Sequence, residues 1–531
     1  MATGGARPGS LTPRRRRRRT SAIAGDDAGE EVEQPRQEGD RISLLPNDVI
    51  HHILSFLPTA DVFRTRGLSS RWRALHDAVP TLAFSLPGGG GGGAGRRGPA
   101  VSAKQFCAFV DAVLRLSRCT DLARFHLDLP YFTPELESEL ESKLGSWLSS
   151  ATERRVKDLR VELPRTEFLY AVPRLVRDCT SLVELRLCGG RMGLKLPGRA
   201  PNWASLRVLS MAYLRLTDDE MGLVFVGSPA LESLELRCCG GVARIKVLSR
   251  RMRELVIDGW KHWSPGDPRL EVSAPHLQTL RLRGSFPRMS LTVAEASSVA
   301  EAELNFSMTI GVGDRFDNYK WPRNLARGIL QKLCNATEFV VGCWFLQVLS
   351  LLENGDLPPL LPNCKSLILN TRCQSLECHG ILNMIESSPQ VEKLVIKMIQ
   401  PFRKQLEFDR DCKALAISTH STHRYSGPLK RKNKLKCLDQ HLRRVDIVQF
   451  DPRDRRSSSF LGLVEFILEE ARVLDKMLIN TCKVKDDGSN SVKTPNPRRL
   501  LEVSRSIRRH RRASENARVV LLTRKKRIIL F

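Results

Sequence analysis

The chain has 531 residues, with 85 Lys or Arg against 58 Asp or Glu, for a formal charge of +27. That length holds several domains, or one long repeat array with attachments. No run of about 18 apolar residues marks a membrane span, residues 1–13 lack the apolar core of a secretory signal, and the fourteen cysteines are scattered without the close pairs of a zinc site, as expected of free thiols in a reducing compartment.

Residues 1–39 are rich in Gly, Ala, Arg, Glu and Gln and almost lack large apolar side chains, so they are expected to form a disordered arm. The run Arg14 to Arg19 has the composition of a nuclear-import signal or of a contact for acidic surfaces. Helical periodicity begins after residue 40. Pro46 suits a first helical turn, and Asp48 adds a negative charge there. Val49, Ile50, Ile53, Leu54 and Leu57 recur at helical spacing until Pro58. Thr59 is placed to cap a second short helix carrying Val62 and Phe63. Gly67 breaks the pattern, and Ser69 or Ser70 starts a third helix with Trp72 and Leu75. Some forty residues lie near the lower limit for an independent core, so this unit is expected to dock on something else.

The helix–proline–helix pattern, from Leu44-Leu45-Pro46 to Arg71-Trp72-Arg73, resembles the F-box, here spanning 40–85. The resemblance implies a Skp-family adaptor as partner and, through it, a cullin-based ubiquitin ligase. Carried over by position, Leu45, Pro46, Ile50, Ile53, Leu54, Leu57 and Val62 form the adaptor surface or the packing beneath it, and Trp72 fixes the third helix. The chain departs from the usual plant pattern at Gly67 and His76. A glycine inside the second helix would cost about 1 kcal/mol.

The glycine run in 86–101 reads as a flexible linker. Phe106, Phe109, Val110, Val113, Leu114 and Leu116 suit an amphipathic helix, as do Leu136, Leu140, Leu144, Trp147 and Leu148 from Pro134 to Ser149. A triplet then recurs: apolar, two residues, apolar, one residue, apolar. It runs from Val156-Leu159-Val161 and Leu182-Leu185-Leu187 to Val391-Leu394-Ile396, with a weaker copy at Val299-Ala302-Leu304. Its spacing of 21 to 26 residues through Leu280 falls in the leucine-rich-repeat range of about 20–29, so 102–400 is assigned to such repeats. The last two residues of each triplet face one way on a strand, and the residue between them faces the other.

Stacked strands therefore put a ladder of outward residues on the concave face: Arg160, Arg186, Ser210, Glu235, Val256, Arg281, Val340, Ile368 and Val395. Of these, Arg160, Arg186, Glu235 and Arg281 are the candidate contacts for a protein substrate. The Ser-Pro or Ala-Pro before a triplet, at Ser228-Pro229, Ala274-Pro275 and Ser388-Pro389, resembles plant F-box repeat proteins. The stretch from Ala302 to Phe339, with Trp321-Pro322, reads as a loop or a divergent repeat.

Residues 401–434 read as a basic loop. Leu442-Val445-Ile447 restores the triplet, and Phe460 to Met477 is expected to be a helix. This region, 435–521, resembles the FBD found at the C-terminus of many plant F-box proteins and suits an end cap. Residues 522–531 are an extension with an apolar end. Residues 498–527 carry a net charge of +10, and residues 1–39 a net charge of +2. Most of the remaining excess lies in the folded middle, where a basic face would favour an acidic substrate.

Tests for chemistry yield no metal site, no cofactor and no catalytic motif. Cys373, Cys378 and His379 lack zinc-ligand spacing, and the basic C-terminal region lacks interleaved aromatics for base stacking. The expected fold is α/β, a three-helix F-box followed by a leucine-rich-repeat solenoid with a C-terminal cap. The expected function is substrate recognition for a cullin-based ligase, without catalysis, in nucleus and/or cytoplasm. The alternative is a basic nuclear repeat protein on nucleic acid or chromatin. No membrane partner is expected.

Overall fold

The structure, a computed structural model, describes residues 44–86, 103–129, 134–163, 172–189, 194–196, 198–247, 249–261, 269–308, 319–351, 360–399, 435–451, 457–481, 484–485, 492–493, 497–523 and 527–530. The arm 1–39, nearly all of the 86–101 linker and the 401–434 loop lie outside them. The chain divides into two compact units, residues 1–50 and 51–531.

The first helix, α1 (Asn47–Leu54), starts on the Pro46 carbonyl, which accepts from the amides of Val49 and Ile50. It stops before the expected Pro58. The Ser55 hydroxyl bonds back to the His52 carbonyl, and the Phe56 amide bonds three residues back to Ile53. These tightened bonds end the helix, so Leu57 lies beyond it.

In the second unit, α2 (Thr59–Arg64) has Pro58 at its N-cap, not Thr59. The buried Thr59 hydroxyl instead accepts the amide of Ala83 at 2.6 Å. Gly67 ends a separate 3-10 turn, Thr65–Gly67, with open space around it, so the cost of a helix-interior glycine does not apply. Ser69 caps α3 (Ser70–His76) by accepting the Trp72 amide at 3.2 Å. His76 fills the aromatic position it departs from: its ring stacks on Phe63, and Nε2 lies 2.7 Å from Thr65 Oγ1. Burial, reinforced by the Arg66 charge, holds its pKa below the ordinary histidine value.

From there the chain builds one sheet of sixteen strands, all parallel except at its last edge. Its early elements are β1 (Thr81–Ser85), α4 (Ala103–Leu116), β2 (Arg124–Asp128), α5 (Pro134–Glu153), β3 (Asp158–Glu162), α6 (Arg174–Arg177), β4 (Glu184–Cys188), β5 (Val208–Ala212) and α7 (Asp218–Gly227). Its middle elements are β6 (Ser233–Cys239), β7 (Arg244–Lys246), β8 (Glu254–Trp260), β9 (Arg269–Ser273), β10 (Thr279–Phe286), β11 (Ser290–Glu295) and β12 (Glu301–Met308). Here β7, β9 and β11 form a second, three-stranded parallel sheet.

Then come α8 (Lys320–Lys332), β13 (Glu338–Val341), α9 (Cys343–Ser350), β14 (Ser366–Thr371), α10 (Ser375–Glu386) and β15 (Lys393–Met398). The final elements are α11 (Lys436–Gln440), β16 (Arg444–Phe450), α12 (Ser457–Glu470), β17 (Lys476–Thr481), β18 (Val484–Lys485), β19 (Val492–Lys493), α13 (Pro497–Arg509), β20 (Arg518–Leu522) and β21 (Arg527–Ile529). This is a leucine-rich-repeat solenoid: each coil contributes one strand, and neighbouring coils share one core.

The triplets are that core. Leu159 and Val161, Leu185 and Leu187, and Leu394 and Ile396 are all buried and pair in register with their neighbours. The array is longer than expected. Val79-Leu82-Phe84 and Leu122-Phe125-Leu127 have the same spacing, and they form β1 and β2. The first strand thus precedes the glycine run, inside the segment assigned to the F-box.

Trp321-Pro322 lies in α8, and β12 pairs with β13, so the 302–339 stretch is a divergent repeat. The expected helix to Met477 ends at Glu470. Leu474-Met477-Ile479 is another triplet, and Met477 is a buried residue of β17. Ile467, Ala471 and Leu474 fit helical spacing equally well, which hid the strand. The extension also gains a role: β21 pairs antiparallel with β20, and the buried Leu530 donates its amide to the Val519 carbonyl at 2.8 Å.

Close packing is strictest between α9 and α10, where a Cβ on Gly380 would lie 1.8 Å from the Leu346 carbonyl oxygen. Glu377, fully buried beside it, accepts from Thr371 Oγ1, the Arg372 amide and Gln347 Nε2 at 2.7–3.0 Å. Burial still raises its pKa. Cys373 and Cys378 are buried, and the neighbouring Cys378 thiol and desolvation both raise the pKa of Cys373.

Candidate partner-binding surfaces

Two surfaces present themselves, one on the N-terminal helices and one on the sheet. The seven residues expected at the adaptor surface separate into two groups. Ile50, Leu54 and Val62 are buried. In the first unit Leu45 is half-buried and Pro46 exposed, beside exposed Leu44 and Val49. In the second unit Ile53 is 41% and Leu57 37% exposed, and they are joined by Phe56 at 70% and Leu68 at 67%. Phe56 stands at helical spacing from Val49 and Ile53, which could have revealed it, whereas Leu68 lies between helical elements and carries no such signal. Half of the large apolar side chains left exposed among the described residues fall between Leu44 and Leu68. In the second unit, the four at Ile53, Phe56, Leu57 and Leu68 mark an unpartnered surface.

This face is held firmly. Phe63 of α2 meets Phe109 of α4 edge to face at 5.8 Å, and Phe109 meets Phe84 of β1 at 6.1 Å. The Asp77 carbonyl accepts the Arg118 amide at 2.6 Å. The helices from Thr59 onward therefore seal the free edge of β1, which is the docking that their small core requires.

On the sheet, backbone register aligns the outward residues in rows across the strands. The expected ladder is one row, and the structure adds His126, Glu303, Asp446 and Leu478 to it. The triplet spacing alone marked their positions. Arg160, Arg186, Glu235 and Arg281 all lie on this face, and each is already engaged. Asp158 receives His126 Nε2 at 2.9 Å and Arg160 Nε at 3.2 Å, and Arg160 Nη2 reaches Glu184 at 3.1 Å. Arg186 also pairs with Glu184. Glu235 accepts from Ser210 at 2.8 Å and from Arg237 at 2.9 Å. Arg281 pairs with Glu254, Glu301 and Glu303, and Arg283 with Glu303.

Burial is the largest single influence on Asp158 and opposes its ionisation. The bonds and charges of His126 and Arg160 together outweigh it and hold the pKa below the carboxylate range. The same balance, with Ser210, Arg237 and Arg186 as partners, lowers Glu235. The bond to Glu235 in turn raises Arg237. Beyond β12 the row turns apolar at Val340, Ile368 and Val395, all half-buried.

No cluster of His, Cys, Asp or Glu suited to a metal occurs among the described residues, and none of their helices is long and apolar enough to cross a membrane.

Sequence comparison bears on both surfaces. The F-box family model matches residues 42–75, the repeat model of the FBD-associated F-box protein At5g56370 matches 144–301, and the FBD model matches 432–479. The chain thus carries matches to an F-box, to leucine-rich repeats and to an FBD, and it is similar to plant F-box/leucine-rich-repeat proteins. The putative F-box/LRR-repeat protein At3g18150 of Arabidopsis thaliana is 27% identical, over 83% of this chain and 86% of its own length. The F-box/LRR-repeat protein At3g03360 is 28% identical over 68% and 71%, and the FBD-associated F-box protein At1g66310 is 24% identical over 86% and 93%, both from the same plant. An F-box and leucine-rich repeats in one chain indicate an F-box substrate-adaptor protein.

Proposed function

We propose that this F-box protein is the non-catalytic substrate receptor of a cullin-based ubiquitin ligase. A Skp-family adaptor docks on the F-box, and a protein substrate docks on the open face of the repeats. The observation that carries this reading is the set of exposed apolar residues Ile53, Phe56, Leu57 and Leu68, close in sequence to helices α2 and α3 that pack on the repeats. Such a patch is costly in water and suits an apolar interface core. Catalysis then belongs to other subunits, and this chain contributes by holding the substrate near them.

The test is co-purification of the full chain with a recombinant Skp-family adaptor. The double substitution Phe56→Asp with Leu57→Asp puts charges on exposed positions, so the fold should persist while adaptor recovery falls at least tenfold. Undiminished recovery would place the adaptor elsewhere. The basic run Arg14 to Arg19 and the cations of 508–527 are proposed to direct the protein to the nucleus. Replacing both sets with Gln should move a fluorescent fusion to the cytoplasm.

A further inference from the structure

Strands β15, β16, β17 and β20 are consecutive in the sheet, and Lys393, Arg444, Lys476 and Arg518 are Cα partners across them. Each is the first residue of its strand, and each precedes a buried core residue, so all four lie in one row on the outward face. Neighbouring strands are about 4.8 Å apart, so the row spans roughly 14 Å. Lys397 adds a fifth cation on the same face of β15.

Like charges directly opposite one another on neighbouring strands destabilise a sheet. Elsewhere this sheet cancels them: in the same row, Asp158 and Glu184 are bridged by Arg160. In the basic row the sole carboxylate on an outward position of these four strands is Asp446, which binds Arg444 at 2.8 Å. Glu392 and Asp475, one residue outside the row, pair with Lys365 and Arg443. Among the described residues, no carboxylate pairs with Lys393, Lys397, Lys476 or Arg518. The row continues beside apolar outward residues, Val395, Val448 and Leu478, all half-buried.

We infer that this basic row is the docking site for an acidic, extended segment of the protein substrate, which crosses the strands and sets its carboxylates against the four cations. The inference rests on the reading of the open face as the substrate surface. Residues on one side of an extended chain recur about every 6.6–7 Å, so some three carboxylates meet the row, and the apolar residues beside it receive side chains between them. Nucleic acid fits less well. No outward position of these strands holds an aromatic ring for base stacking, and Asp446 would face a phosphate.

The experiment titrates the full chain with a fluorescein-labelled twelve-residue peptide of alternating Glu and Leu, read by anisotropy at low salt. A Gln/Leu peptide and a single-stranded oligothymidylate serve as comparisons. The ladder variant Lys393→Glu, Lys476→Glu, Arg518→Glu should weaken the acidic peptide at least tenfold. The charge-matched control Arg199→Glu, Arg250→Glu, Arg251→Glu should change it less than twofold. A Gln version of the ladder variant, which introduces no new charge, should give an intermediate loss and guards against misfolding. Equal losses in ladder and control variants, no binding by the parent chain, or tighter ladder-dependent binding of the oligonucleotide would each overturn the inference. Adaptor co-purification is measured in parallel. Its failure in the parent chain strikes the F-box reading, whereas peptide failure with adaptor binding intact strikes this inference alone.

Discussion

From β3 to β12 every arginine on the outward face of the main sheet pairs with at least one carboxylate on its own or an adjacent strand, whereas from β15 to β20 a row of cations stands largely uncompensated. Backbone register is the same in both regions, so the difference lies in side-chain choice alone. The first region satisfies its charges internally and gains rigidity. The second keeps a like-charge cost within the sheet. Surface charge counts alone would have ranked Arg186 and Arg281 beside Lys476 as binding residues. The geometry separates them.

The comparison breaks most readily at Arg281. Arg281→Glu sets a fourth carboxylate among Glu254, Glu301 and Glu303. The site is partly buried, so a loss of about 2 kcal/mol is expected, between the values for exposed and buried pairs. Urea unfolding measures it, and a loss under about 0.5 kcal/mol would show that the network contributes little.

Acid titration should follow with a smaller effect. Asp158 and Glu235 have folded pKa values below their unfolded ones. Their contribution is therefore complete above the ordinary carboxylate value of about 4 and is lost as pH falls through the lower, folded values. Asp158→Asn should be less stable than the parent near pH 6, and the two should converge as pH drops below about 4. Parallel curves would contradict the assignment.

The smallest effect has the opposite sign. Lys476→Glu replaces repulsion from Arg444 and Arg518 with attraction, so stability should hold or rise by a few tenths of a kcal/mol. A clear loss in the same unfolding assay would mean that Lys476 already has a stabilising partner, and the contrast between the two regions would fail.

Much of this was legible in the sequence because one spacing governs the whole array. The triplet identifies the core strands and, between its last two residues, the outward position. Where reading failed, a second signal competed. The glycine run after residue 87 hid that Val79-Leu82-Phe84 was already a repeat, and the helical fit of Ile467 to Leu474 masked β17. The ion pairs were not legible at all. Arg281 finds its carboxylates twenty or more residues away on either side, and only strand register says which ones meet it. The basic row escaped notice for the same reason, since its four members are separated by three segments of unequal length.

Thr59 binding the edge of β1 has a consequence for distance. Within the second unit no joint separates α2 and α3 from the first strand, so the array acts as a ruler with one end fixed at those helices. Each strand is a graduation of about 4.8 Å, and β15 stands eleven graduations from β1, some 50 Å along the sheet. Removing one internal coil would draw anything bound at the far graduations one step closer to those helices and turn it by the twist between strands.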